Sequence, residues 1–245
     1  MNIIQVKDYA EMSKKAAELL IKKVKANPSI NLGLATGGTP KGLYKELIHD
    51  HTQNGTSYQK VTTFNLDEYI GMKANNPNSY HYYMADALFN HIDIPAQHTH
   101  LPNGRAQNNE QECIRYDQLI DSLGGIDLQV LGIGQNGHIG FNEPGTPFHS
   151  PTHIVKLEES TRQANARYFN SIDEVPTHAI TMGISSIMKS KEILLLVSGE
   201  SKSEAMQKLL HGEISEDFPA SILKNHPCVT IIADQKALSG ILINS

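Results

Sequence analysis

Val-Leu-Gly-Ile-Gly-Gln-Asn-Gly-His-Ile-Gly-Phe-Asn-Glu-Pro, from Val130 to Pro144, carries the densest chemistry in the chain. The uncharged apolar run from Leu128 to Ile133 predicts a buried strand that stops at Gly134. Behind it an amide, an imidazole and a carboxylate, Asn136, His138 and Glu143, are spaced by glycines. Gly132-x-Gly134-x-x-Gly137 has the form of the dinucleotide-binding fingerprint, which needs a helix to begin at its third glycine and receive pyrophosphate. Gly140, Pro144, Gly145 and Pro147 follow within a short span and make a helix there unfavourable. The glycines are instead expected to let backbone approach a small ligand while turning sharply to present His138 and Glu143.

On either side of this stretch the same unit recurs. Ile30 to Ala35 predicts a strand, Thr36-Gly37-Gly38-Thr39-Pro40 a glycine turn, and Lys41 to about His49 a helix. Thr39 is expected to cap that helix with Pro40 at its first position, and Thr36, Gly37, Gly38 and Thr39 to offer backbone N–H groups to an anion. An ordinary strand-to-helix turn has the same residue types, and without a Walker-type lysine the turn does not suit a nucleoside triphosphate. Val61 to Asn65 is the next strand, and the carboxylates of Asp67 and Glu68 follow it at the place where α/β sheets collect site residues.

Helices are predicted from the capping box at Asp8 to Asn27, from Asn78 to about His91, and from Asn108 to Leu123, where Gly124-Gly125 ends it. In the second of these, Tyr80, Tyr83, Met84, Ala87 and Leu88 are expected to face the core. A short helix from Ser160 to Phe169 carries Arg162 and Arg167, and residues 152–182 are a candidate flap. Three further apolar strands, Ala179–Thr181, Ile193–Val197 and Val229–Ala233, each end in a small polar turn. Strand, loop and helix alternate throughout, with no repeat or linker. The prediction is a single α/β domain over 1–245, an open, mostly parallel, doubly wound (Rossmann-like) sheet with helices on both faces. The candidate loops would then share one edge of the sheet.

Composition is compatible with this. The 245 residues are 39% hydrophobic and 19% charged, enough for one sizeable core. No apolar run approaches membrane-spanning length and the amino-terminal residues lack a signal core, so the expected location is cytoplasmic. A formal charge of -5 without a Lys/Arg run argues against nucleic acid or anionic membrane as partner, so an anionic ligand must be held locally. Cys113 and Cys228 have no second sulfur nearby in sequence, and no metal site is expected.

Thr36 to Pro40, Phe64-Asn65-Leu66-Asp67-Glu68-Tyr69, Gly132 to Pro144 and Thr161-Arg162-x-Ala164-Asn165-x-Arg167 together resemble the glucosamine-6-phosphate deaminase family, in order over nearly the whole chain. The resemblance implies conversion of glucosamine 6-phosphate and water to fructose 6-phosphate and ammonia, without a cofactor. Asp67 matches the family's proton-transferring base, His138 its ring-opening residue and Glu143 the carboxylate supporting that histidine. Thr36 to Thr39, Arg167 and Lys202 match its phosphate contacts. Many members have Asp where this chain has Asn136, so His138 is expected to feel one negative charge fewer. Other members are hexamers activated by N-acetylglucosamine 6-phosphate through basic residues after the Glu-Pro loop and an extended carboxyl terminus. Thr152-His153-Ile154-Val155 offers none and the chain ends at Ser245, so a monomer or small homo-oligomer is expected.

The chemistry fits the residue types. Opening an amino-sugar ring moves a proton from the anomeric hydroxyl to the ring oxygen, and imidazole titrates in the needed range. A carboxylate can then carry the C2 proton to C1. Asp67 is the expected base, with Glu68 left as an alternative and otherwise a substrate contact. Lys202 near a helix start is unfavourable to the helix dipole, which favours a ligand role. The rival readings are a 6-phosphogluconolactonase-like hydrolase, disfavoured by Glu143-Pro144 and the Asp67-Glu68-Tyr69 order, and a non-catalytic sugar-phosphate sensor, which needs no base.

Overall fold

The computed structural model of the chain describes residues 1–159, 162, 163, 166, 169 and 171–241. In it the apolar runs line up as a seven-stranded sheet. The strands are β1 (Asn2–Val6), β2 (Asn31–Leu34), β3 (Thr62–Asn65), β5 (Thr99–His100), β6 (Leu128–Leu131), β9 (Glu192–Val197) and β10 (Val229–Asp234). They run in the order β1-β10-β9-β6-β2-β3-β5, every neighbouring pair parallel. Successive side chains of a strand point to opposite faces. In β9, accordingly, Ile193, Leu195 and Val197 enter one core with Tyr116, Ile120, Met206 and Leu209, while Leu194 and Leu196 enter another with Met12, Leu20, Leu43 and Met84. An unbroken apolar run is what a strand covered on both faces requires.

The first core is closed by α4 (Asn109–Ser122), α5 (Ile184–Met188) and α6 (Ser203–His211), the second by α1 (Tyr9–Ala26), α2 (Lys41–Asn54) and α3 (Tyr80–Ala87). Their starts follow local chemistry. Asp8 Oδ1 accepts from Glu11 N at 3.0 Å, Ser79 Oγ from Tyr82 N at 3.0 Å, and Asn108 Oδ1 from Gln111 N at 3.0 Å. Thr39 does not cap α2: Pro40 holds the cap position with no side-chain bond, and the helix runs past His49 to Gly55, whose φ of 69° ends it. The expected helix to His91 stops at Ala87 and tightens into a 3-10 turn over Phe89–His91.

Ala179–Thr181 is a strand, as expected, but does not join the parallel sheet. It lies in β8 (His178–Thr181), which pairs antiparallel with both β4 (Asp67–Tyr69) and β7 (His153–Lys156) in a separate small sheet. An apolar run reports burial, not the identity of its neighbours. Leu66 joins the two sheets, its N–H donating to Leu34 O at 3.2 Å and its carbonyl accepting from Met182 N at 2.6 Å. In the parallel sheet β2 and β6 are neighbours, yet the chain leaves β2 toward β3 and leaves β6 toward β9. That reversal opens a crevice beyond their carboxyl ends, where open α/β sheets bind ligands.

Candidate active site

Two loops enter the crevice from β2 and β6. After β2, Gly37 takes φ 91°, a left-handed conformation natural to glycine, while Gly38 has ordinary φ and nothing within 4 Å of where a Cβ would stand. The open space at Gly38 is therefore not demanded by the fold. The backbone N–H groups of Gly38 and Thr39 donate to no protein acceptor among the described residues. The turn's carbonyls are occupied: Tyr44 Oη donates to Ala35 O at 2.5 Å, Tyr83 Oη to Gly37 O at 2.6 Å and Tyr9 Oη to Gly38 O at 3.0 Å.

After β6, Gly134 N bonds His138 O at 2.9 Å and closes a tight turn, helped by Gly137 at φ 86°; no helix follows. The His138 ring lies against Gly134, where an added Cβ would sit 2.4 Å from ring atoms. Asn136 Nδ2 donates to Glu143 Oε2 at 2.7 Å. The same oxygen lies 3.4 Å from His138 Nδ1, an ion-pair distance without hydrogen-bond geometry, and Nδ1 is buried. Asn136 thus touches Glu143 through its side chain, and His138 only at the backbone, its Oδ1 accepting from His138 N at 3.3 Å. Buried Asn142 fastens the loop to the end of β8, donating to Ile139 O at 2.8 Å and Met182 O at 2.9 Å.

Asp67 and Glu68 alternate along β4, and their environments differ. Glu68 is 2% exposed and accepts four contacts: Tyr69 N at 2.8 Å, Tyr80 N at 3.1 Å, His81 N at 3.0 Å and His81 Nδ1 at 2.7 Å. Both its oxygens are committed to the amino end of α3, which the helix dipole favours. Asp67 is 6% exposed, and a Cβ placed on Gly140 would lie 3.8 Å from its Oδ2 and 3.0 Å from Thr181 Oγ1. Its carboxyl therefore underlies the loop that carries His138. Burial, reinforced by the Glu68 charge, pushes its pKa up to about 8.

Tyr80, expected to be core, is half-buried and has its phenol in this neighbourhood. It donates to Tyr69 Oη at 3.2 Å, and its pKa is raised by burial, then by Tyr69 and Asp67, against a hydrogen bond with Thr36 that lowers it. The phenol thus feels both Thr36 of the β2 turn and the charge of Asp67. Lys202 ends the 3-10 turn Glu200–Lys202 behind β9, half-buried, with no ion pair among the described residues, and burial lowers its pKa. Its turn is anchored by Asp234, which accepts from Ser198 Oγ at 2.5 Å and Gly199 N at 3.1 Å.

Arg167 lies outside the described residues. Arg162 is a brace within its own segment, donating through Nη2 to Ile172 O at 2.9 Å and Val175 O at 3.2 Å. Around this segment, Tyr69, Phe141, Leu157 and Ala179 form a small third core packed by Met72, Tyr80, Val155 and Phe169. Thr181, which the sequence does not single out, bonds Phe141 N through Oγ1 at 3.1 Å and pairs in register with Asp67 and His153. The loop contacts of Tyr9 and Tyr83 likewise left no sequence signal, because a phenol on a half-apolar helix face looks the same whether it packs or binds.

Residues 7–231 match the family described as glucosamine-6-phosphate isomerases/6-phosphogluconolactonase. The chain is 61% identical over its full length to the glucosamine-6-phosphate deaminase of Halalkalibacterium halodurans, covering 100% of both. It is 56% identical to glucosamine-6-phosphate deaminase 1 of Bacillus subtilis, covering 98% of this chain and 99% of the relative. Among solved structures it resembles a monomeric glucosamine-6-phosphate deaminase of the NagB superfamily, with TM-score 0.96, 56% identity and coverage of 98% and 99%. The 6-phosphogluconolactonase of Trypanosoma cruzi shares the fold, with TM-score 0.81 at 19% identity over 99% and 97% of the two chains.

Proposed function

Because the chain belongs to the family of glucosamine-6-phosphate isomerases and 6-phosphogluconolactonases, we infer from its deaminase relatives that it converts glucosamine 6-phosphate and water to fructose 6-phosphate and ammonia. The observation that carries the reading is Asp67: a buried carboxyl with a raised pKa, lying under Gly140 of the His138 loop. The structures named as 6-phosphogluconolactonases stand at 16–19% identity, a level that speaks for the fold alone.

In this reading the 6-phosphate lies against the free N–H groups of the Thr36–Thr39 turn, with Lys202 and Arg167 supplying positive charge. His138, supported by Glu143, takes the anomeric proton and returns one to the ring oxygen, which opens the ring. Asp67 removes the proton from C2, where the C1 carbonyl acidifies it; the electron pair forms a C1–C2 double bond as the C1–O π pair moves onto O1, which takes a proton from the C2 ammonium. Delivery of that proton to C1 leaves a C2 imine; water adds there and ammonia leaves, which gives the ketone. Glu68 positions α3, and with it Tyr80, and stays off the substrate. Asn136 orients Glu143.

An acid of pKa about 8 is mostly protonated at pH 7, but the substrate brings an ammonium group on C2. That cation beside Asp67 favours the carboxylate, so binding an amino sugar ionises its own base. Part of the expected flap over 152–182 lies outside the described residues. No described helix is long and apolar enough to cross a membrane. The reading makes the protein a cytoplasmic enzyme, a monomer or small homo-oligomer acting on a small sugar phosphate, and one solved relative is a monomeric deaminase. Incubation with glucosamine 6-phosphate alone tests the reading: ammonia and fructose 6-phosphate must appear in equal amounts, and absence of either refutes it.

A further inference from the structure

The β2 turn presents its N–H groups to the cleft only if each peptide plane is held in one orientation, and two phenols bond the carbonyl ends of those planes. Every described peptide is trans, so the carbonyl of one residue and the N–H of the next point in opposite directions. The Gly37 carbonyl opposes the Gly38 N–H, and the Gly38 carbonyl opposes the Thr39 N–H. Tyr83 Oη holds the first carbonyl at 2.6 Å and Tyr9 Oη the second at 3.0 Å. Tyr9 Oη also accepts from Gly42 N at 2.8 Å, tying the turn to the first turn of α2. The opposite ends of those two planes, the N–H groups of Gly38 and Thr39, have no protein acceptor among the described residues.

Glycine makes such fastening necessary. Gly37 and Gly38 have no Cβ to limit rotation, and a free glycine plane visits both signs of φ. Tyr9 opens α1 and Tyr83 lies in α3, so two helices of one sheet face converge on two adjacent peptides. The Tyr83 ring also carries the Lys41 ammonium 5.5 Å from its centroid.

We propose that Tyr9 and Tyr83 are positioning residues of the phosphate site, which fix the Gly37–Gly38 and Gly38–Thr39 planes with their N–H groups toward the anion. This rests on the phosphate role given to that turn above. Tyr83→Phe keeps the ring beneath Lys41 and removes only the bond to Gly37; Tyr9→Phe removes the bond to Gly38. Tyr82→Phe, on the solvent side of α3, is the control.

Steady-state kinetics with glucosamine 6-phosphate and, at high concentration, with unphosphorylated glucosamine, together with calorimetric titration with inorganic phosphate, make the test. Each variant should raise KM and the phosphate Kd by about threefold to tenfold, with kcat within twofold, and the double variant should exceed either. Reaction of unphosphorylated glucosamine should be unchanged, which a general loosening of the fold would not allow. Unchanged KM and phosphate affinity, or equal losses with both sugars, would overturn the proposal. If the wild-type protein binds phosphate but does not deaminate, the variants' phosphate affinity still decides it, and only the functional reading falls.

Discussion

Asp67→Asn separates what the buried carboxyl does for chemistry from what it does to stability. In the folded chain its pKa stands near 8 against a reference of 3.8, a difference of about 4 units. The folded state therefore holds a proton that the unfolded chain releases between pH ~4 and ~8, and stability falls as pH rises through that window. At 1.36 kcal/mol per unit, ionised Asp67 costs the native state about 6 kcal/mol at most above pH 8, and hydration of the cleft reduces this. The neutral amide removes the slope. It also buries an N–H pair without assured partners, an offset of about 1–3 kcal/mol that does not vary with pH.

The diagnostic is thus the change with pH. Melting temperatures of variant and wild type, taken from pH 5 to pH 9, should diverge in the variant's favour as pH rises, by about 2–4 °C per kcal/mol for a chain of this size. Activity should fall about 10²–10⁴-fold at every pH while the phosphorylated sugar still binds. A melting difference that does not vary with pH removes the raised pKa. Retained turnover removes the base.

Lys202→Ala should raise KM for glucosamine 6-phosphate about tenfold to hundredfold with kcat nearly kept, and unchanged affinity with lost turnover would refute a phosphate contact. Asn136→Asp places a second carboxylate where an amide now meets Glu143 at 2.7 Å, a repulsion of about 6 kcal/mol at an effective dielectric of about 20. The pair should retain one proton at neutral pH, so the acid limb of kcat/KM should stay within about half a unit of wild type; a rise of a full unit would show that both ionise. Saturation by glucosamine 6-phosphate should be hyperbolic and unaffected by N-acetylglucosamine 6-phosphate, and a sigmoidal curve made hyperbolic by the acetylated sugar would reveal an effector site.

The strands buried on both faces were legible because burial writes continuous apolar runs, as in Ile193 to Val197. β1 was not: Asn2-Ile3-Ile4-Gln5-Val6 is a short edge strand with partly exposed residues, and no turn signal precedes it. β7 alternates half-buried and exposed residues and reads as loop until β8 is beside it. In the site, residue types and their positions after strands singled out Asp67, His138 and Glu143. They left open whether Asp67 or Glu68 faces the cleft, since two adjacent acids are equivalent until strand alternation and the α3 amino end distinguish them. Asn136 was legible as an unusual neutral residue. Its contact with Glu143 required the turn at Gly137, which folds residue 136 back onto 143.

The small antiparallel sheet has an architectural consequence. Thr181 is paired in register with Asp67 on one side and His153 on the other, so the segment between β7 and β8 leaves and returns through one antiparallel pair, of which β8 is bonded to the strand that carries Asp67. Whatever is done to the chain between Lys156 and His178, shortening it, lengthening it or grafting a foreign loop, enters and leaves through one ladder. The registration of Asp67 under Gly140 is set by the paired strands and not by that segment.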